Sequence, residues 1–258
     1  MIIGNRTFTE GTHVMGILNV TPDSFFAGSR VTEDDVLFRA ERMVKEGVAV
    51  FDVGAQSTRP GHIPVSPEEE MRRLENVVPL LKKEFDVPLS VDTYFPSVAD
   101  FVLERGADLI NDVWGLRYGE GMAEVVAAHR ASICIMHNQN GTQYTDLFGD
   151  IETFLKDSLS LAEKAGVERD KICLDGGIGF GKTKEQNFLL LEGYDKLSSL
   201  GYPLLLGVSR KSMFGGLPEE RLAPTLEATK LAVKKQILFV RVHDVAENVR
   251  AIREAQCR

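Results

Sequence analysis

Short apolar runs rich in Val, Ile and Leu alternate with longer amphipathic stretches along almost the whole chain. The runs predict strands at 14–20, 48–54, 88–93, 109–114, 132–137, 171–176, 203–209 and 237–243. Between them lie stretches with helical spacing, such as "PEEEMRRLENVVPLLKKEF" (67–85) and "IETFLKDSLSLAEKAG" (151–166), and the last is "VAENVRAIREAQ". Gly47, Gly106, Gly166 and Gly201 stand where helices commonly end on a left-handed residue. Eight strands and eight helices, at about 30 residues per unit, fit an α/β (β/α)8 TIM barrel of ~250 residues. The strands are continuously apolar, as expected of a parallel sheet filled on one face and covered by helices on the other. A doubly wound open sheet is the alternative, but it does not need eight evenly spaced units. The opening "IIGNRTFT" predicts a short extra strand or hairpin capping the bottom of the barrel. No linker, low-complexity tract or shift in composition divides the chain, so 1–258 reads as a single barrel domain.

The charge balance narrows the partners. The 258 residues carry a net charge of −8, and 26% of them are charged. Such a field repels nucleic acid and anionic membranes, so an anionic ligand needs a local basic cluster. Cys134, Cys173 and Cys257 show no paired spacing and no metal pattern. The first two sit in apolar runs and read as small core residues, which suits a reducing cytosol. The N-terminus has neither a signal core nor a transit pattern, and no apolar run approaches the ~18 residues of a membrane span. A cytoplasmic, soluble protein is expected.

Chemistry in such a barrel sits where strands end and loops begin. Those positions hold Asn19 with "TPDSF", "QSTRPG" with Thr58 and Arg59, Asp92, Asn111 with Asp112, His137, Asp175, "SRKS" with Lys211 and Ser212, and Arg241 with His243. Taken singly, each has a plain reading. Asp23 or Asp112 suits a helix cap, His137 a satisfied core histidine, and Arg210 the surface. Capping does not account for "VRVHD": Arg241 and His243 share one strand face, and an Arg inside a barrel is costly unless it meets an anion. The basic set (Arg59, Lys211, Arg241 and His243, with Thr58) suits a phosphorylated ligand. Asp92, Asn111 and Asp175 suit a heterocycle with amino and lactam edges. Asn19 could give an oxygen to Mg²⁺, which binds phosphates while keeping most of its waters. Together they predict an enzyme acting on a phosphate ester of a nitrogen heterocycle.

Residues 176–183, "GGIGFGKT", also satisfy the phosphate-binding G-x-x-x-x-G-K-[ST] pattern. The match follows the sixth predicted strand, and the next strand, "PLLLGVS", carries no acid for a metal. It therefore reads as the loop after that strand, with Lys182 and Thr183 at a helix start.

The motifs "MGILNVTPDSF" (15–25), "DVGAQSTRPG" (52–61), "SVDTY" (90–94), "INDVWG" (110–115), "IMHN" (135–138), "LDGGIGFGKT" (174–183), "LLGVSRKS" (205–212) and "VRVHDV" (240–245) resemble the dihydropteroate synthase family, in family order along the chain. The resemblance implies a (β/α)8 barrel that joins 4-aminobenzoate to the methylene of a dihydropterin pyrophosphate, releasing pyrophosphate. It implies a pterin set of Asp92, Asn111, Asp175, Phe180, Lys211 and Arg241. The pyrophosphate set would be Asn19, Thr58, Arg59, Arg241 and His243, with Asn19 on Mg²⁺. Phe25, Thr58, Pro60, Lys211 and Ser212 would meet 4-aminobenzoate, and Asp92, Lys211, Arg241 and His243 would act at the reacting atoms. Family members are commonly homodimers, and helices within 201–236 could pair, although nothing in the sequence fixes an interface. The chain departs from the family pattern at Gly176, where Pro is usual, and at "SFFAGSR", "RLAPTLEATK" and "KKQILFV". A corrinoid-dependent methyltetrahydrofolate methyltransferase would share the pterin acids without needing "TPDSF", "STRPG" or the Arg241/His243 pair. A non-catalytic pterin-binding paralogue would be expected to lose Asn19, Arg59 or Lys211.

Overall fold

The computed structural model describes residues 1–20, 33–56 and 65–257. An antiparallel hairpin, β1 (Ile2–Ile3) with β2 (Arg6–Thr7), precedes eight parallel strands. These are β3 (His13–Asn19), β4 (Val50–Gly54), β5 (Leu89–Asp92), β6 (Leu109–Asp112), β7 (Ser132–Met136), β8 (Ile172–Asp175), β9 (Leu204–Leu206) and β10 (Phe239–Val242). They close in the order β10-β3-β4-β5-β6-β7-β8-β9. Around them run α1 (Glu33–Glu46), α2 (Pro67–Leu74), α3 (Val77–Glu84), α4 (Pro96–Leu103) and α5 (Met122–Ala128). The ring is completed by α6 (Leu147–Ala165), α7 (Lys184–Glu192), α8 (Leu222–Lys234) and α9 (Val245–Gln256).

The expected eight-unit barrel is therefore present, and α9 has the predicted bounds. Gly47, Gly106, Gly166 and Gly201 all have positive φ, as the helix-end reading required. The single helix expected over 67–85 is two, α2 and α3. Pro79 has no N–H to give to the Glu75 carbonyl, so a continuous helix would lose that bond; the break one turn earlier puts Pro79 in the first turn of α3, where no donor is needed. Helix α6 begins four residues before the predicted 151, because Asp146 caps it by accepting from the Gly149 N–H at 3.1 Å.

Period two along the strands separates the interior from the helix-facing core. Met15, Val50, Leu109, Cys134, Cys173, Leu205 and Phe239 form one buried cluster with Ile3 and Phe8 from the opening segment. The hairpin thus plugs the bottom, as expected; Phe8 stacks edge-on to Phe239 at 5.1 Å, and Ser132 Oγ donates to the Ile2 carbonyl at 2.6 Å. The opposite face of the strands packs against the helices in the larger core. Cys134 and Cys173, far apart in sequence, are direct register partners on β7 and β8. Both are buried inside the barrel, and Cys257 is exposed.

Candidate active site

The interior cluster dictates what lies above it. Two residues beyond Val50, Leu109, Cys173 and Phe239 come Asp52, Asn111, Asp175 and Arg241, so the same inward parity carries polar groups at the next layer. The ladder Asn19↔Gly54↔Asp92↔Asn111 sets one side of the mouth across β3 to β6. Asp175 lies across the barrel at the end of β8.

Arg241 is held by two carboxylates. Its Nε donates to Asp52 Oδ2 at 2.6 Å and its Nη2 to Asp92 Oδ2 at 2.7 Å. Ser90 Oγ donates to the other Asp52 oxygen at 2.5 Å. Burial works to lower the Arg241 pKa, but Asp52 and Asp92 outweigh it and keep the guanidinium charged. The anion that an inward Arg requires is thus partly supplied by the protein itself. Asp92 is pushed up to about 7, first by burial, with Arg241 pulling it down and Asp52 and Asp112 pushing it up. Its Oδ1 is buried and has no hydrogen-bond partner among the described residues.

Asp175 is only 6% exposed. Its Oδ1 accepts from the Gly177 N–H at 2.7 Å and lies 2.8 Å from the Tyr194 hydroxyl. Burial raises its pKa, while Lys211 opposes the rise. The Lys211 ammonium donates to the Ile178 carbonyl and sits 4.6 Å from the Phe180 ring centre. Burial lowers its pKa to about 8, against the pull of Asp175. Phe180 packs beside Tyr94, Val113 and Met136, giving the mouth an apolar wall.

The "GGIGFGKT" loop does not present its lysine as a phosphate clamp. Lys182 Nζ turns inward, donating to the carbonyls of Gly177 at 2.9 Å and Phe180 at 3.0 Å, and lies 2.9 Å from His137 Nδ1. Burial lowers Lys182 to about 7 and His137 to about 3, so His137 is a neutral, satisfied core histidine. Lys182 stands directly before the cap of α7, as expected of a helix start, and in addition ties the loop to the end of β7. Thr183 caps α7 in a reciprocal box with Gln186. A Cβ on Gly177 would fall 1.9 Å from the His137 carbonyl oxygen, which explains a glycine there at φ +69°.

Other predicted residues divide. His243 follows β10, with its Nδ1 2.9 Å from Ser209 Oγ. Ser212 opens a three-residue 3-10 turn (Ser212–Phe214), and the helix after β9 starts only at Leu222. Arg210, read as a surface residue, forks onto Asp244 with two 2.8 Å bonds and joins the β9 loop to α9. Asp112 holds its own turn through the N–H groups of Trp114 and Leu116 and caps no helix, since α5 begins after Gly121. Phe25, Thr58, Arg59 and Pro60 lie outside the described residues. Two contributors escaped the sequence reading. Asp52 could have been found from its inward parity with Gly54; Tyr194 lies outside any strand end and left no signal.

Among the described residues, no three His, Cys, Asp or Glu side chains gather as a metal site. At the rim, Asn19 Oδ1 lies 3.2 Å from where a Cβ on Gly54 would be. One amide oxygen fits a Mg²⁺ whose other ligands are water and substrate phosphate, and does not fit a resident, all-protein metal cage.

A model of the pterin-binding enzyme family matches residues 15–243. The chain belongs to that family. Within it, a dihydropteroate synthase of Clostridium beijerinckii is 46% identical over 259 residues, covering 97% of this chain and 96% of that protein. A crystal structure of dihydropteroate synthase from Clostridium difficile, with pteroic acid, superposes with a TM-score of 0.93 at 44% identity, covering 100% of this chain and 98% of that one. The Yersinia pestis enzyme in complex with a sulfonamide drug superposes with a TM-score of 0.93 at 36% identity, covering 100% and 98% of the two chains. The family match agrees with the resemblance carried by the motifs.

Proposed function

We propose that the chain is a dihydropteroate synthase, condensing 6-hydroxymethyl-7,8-dihydropterin pyrophosphate with 4-aminobenzoate to give 7,8-dihydropteroate and pyrophosphate. The observation that carries the reading is the pairing, at one rim, of buried Asp92 and Asp175 with Arg241 and Lys211. The pterin would enter with its aminopyrimidine edge toward Asp175, its ring against Phe180, and N–H groups toward Asn111 and the unpartnered Asp92 Oδ1. Unpaired buried acceptors are costly until a donor arrives, so they favour a ligand that supplies N–H groups.

Arg241 has Nε and Nη2 committed to carboxylates, which aims the guanidinium and leaves Nη1 for a phosphoryl oxygen. Together with His243, Thr58 and Arg59 it would stabilise charge growing on the leaving pyrophosphate. Mg²⁺, held by Asn19 with the pyrophosphate, would add Lewis-acid neutralisation of that charge. Asp92, restrained by Arg241, is placed to favour the cation left on the pterin methylene. The amine of 4-aminobenzoate then attacks that carbon and gives up one proton. Lys211, the exposed Ser212, Phe25, Thr58 and Pro60 would hold the second substrate. No protein nucleophile is needed.

Pyrophosphate release by the purified protein should rise with added 4-aminobenzoate, with Mg²⁺ required and a sulfonamide competing with the aminobenzoate. Pyrophosphate release indifferent to 4-aminobenzoate would overturn the assignment. A homodimer belongs to the same reading, supported by exposed Phe188, Leu189 and Leu217 around α7 and the approach to α8; light scattering giving a monomer mass would refute it. Among the described residues no helix is long and apolar enough to cross a membrane. A cytoplasmic location is proposed with it, in keeping with the small ionic substrates.

A further inference from the structure

The departure at Gly176 has a partner elsewhere in the fold. Proline carries no N–H, so glycine at this position introduces a backbone donor directly after Asp175, in a buried turn where an unpaired donor would be costly. That donor is satisfied by a side chain: Gly176 N–H reaches the Tyr194 hydroxyl at 2.8 Å. Tyr194 is 0% exposed and opens the 3-10 segment Tyr194–Leu200 behind β8 and β9. Its oxygen also lies 2.8 Å from Asp175 Oδ1 and 2.6 Å from the Leu205 carbonyl oxygen. A phenol has one proton and two lone pairs. It therefore accepts from Gly176 and shares its proton between Asp175 Oδ1 and Leu205.

Space couples the two residues as well. A Cβ added at Gly176 would meet Leu197 Cδ1 at 3.0 Å and Tyr194 Cε2 at 3.1 Å, so the tyrosine ring occupies the room a larger residue 176 would take. With the Gly177 N–H on the same oxygen at 2.7 Å, Asp175 Oδ1 is fixed from two sides at the base of the site. Its Oδ2 is turned toward Gly207, 3.4 Å from where a Cβ there would lie, at the open end of β9.

We propose that Tyr194 is a positioning residue for Asp175, working with Gly176. The phenol takes up the N–H that glycine exposes and pins Oδ1, so that Oδ2 faces the bound pterin. The inference rests on the reading of Asp175 as the acceptor for the pterin edge, and the variants separate the two.

Tyr194→Phe keeps the ring and removes the hydroxyl. In the full-length protein it should raise the KM for dihydropterin pyrophosphate about tenfold, the loss expected for one hydrogen bond to a charged group, and leave the KM for 4-aminobenzoate within about twofold. The pair Gly176→Pro with Tyr194→Leu removes the donor, its acceptor and the tyrosine ring together. It relieves the unpaired N–H but restores no bond to Asp175 Oδ1, so its pterin KM should stay raised, as in Tyr194→Leu alone. Calorimetric titration of each variant with the pterin substrate should follow the same order. A Tyr194→Phe protein with wild-type pterin KM, or with both KM values raised equally, overturns the inference. If Tyr194→Phe does not fold, the double variant decides it: a wild-type pterin KM there would show that the phenol does not position Asp175. Asp175→Asn is the reference: if it binds pterin like wild type, the role of Asp175 falls and the inference with it. If it abolishes binding while Tyr194→Phe changes nothing, only the inference falls.

Discussion

Replacing Glu70 with glutamine measures the cost of keeping a carboxyl buried behind the catalytic rim. Glu70 lies on α2, is 0% exposed, and accepts a hydrogen bond from Gln56 Nε2 at 2.7 Å. Burial pushes its pKa up to about 8; Thr93 and Arg73 oppose the rise and the charge on Asp92 adds to it. An acid with a folded pKa near 8 and an unfolded value of 4.5 stabilises fully below 4.5, and that contribution is lost as pH rises through 8. At about 1.4 kcal/mol per pH unit, the wild type has given up on the order of 3 kcal/mol by pH 7. Glutamine has nearly the same shape, can accept the Gln56 bond and cannot ionise. Glu70→Gln should therefore match wild type below about pH 5 and gain on it by about 1 kcal/mol per unit up to about pH 8. Urea unfolding at four values between pH 5 and 8.5, with the slope m held common, reads this difference directly. A difference that stays constant with pH, or a variant that is less stable throughout, would show that Glu70 is not held protonated.

Three further outcomes follow from the same geometry. Asp52→Ala removes one of the two carboxylates on Arg241 and the acceptor of Ser90, and should cost about 3–5 kcal/mol in urea unfolding; a loss under about 1 kcal/mol would show that the pair is not a working ion pair. Asp92→Asn keeps the shape but not the charge, and turnover should fall at least about 100-fold while the circular dichroism spectrum stays unchanged. Thr183→Ala breaks the cap of α7 and should cost about 1 kcal/mol of stability with no change in either KM, since its hydroxyl serves Gln186 and no ligand.

Much of the architecture follows from local rules. A strand turns its side chains with period two, so apolar runs of the right length and spacing announced eight strands. The same parity puts Arg241 and His243 on one face of the last strand. The helix ends at Gly47, Gly106 and Gly166 follow from backbone freedom that belongs to the residue alone. The split between α2 and α3 went unread over 67–85, although Pro79, which cannot donate within a helix, carries its signal.

What the chain could not announce locally depends on how its strands register and tilt around the barrel. Closure sets Arg241 of the last strand against Asp52 and Asp92 of the second and third, so the anion expected for Arg241 proved to include two residues of the protein. It also made neighbours of Cys134 and Cys173, and brought Tyr194 from behind the barrel to the base of Asp175. The phosphate-loop pattern shows the limit from the other side. Its letters match, but Lys182 is drawn inward by three acceptors, because burial makes an unsatisfied ammonium far more costly than an empty surface position. Period and propensity are properties of a few consecutive residues and can be read along the chain. Contacts between residues far apart in sequence exist only once the barrel closes, and those contacts decide which polar groups meet.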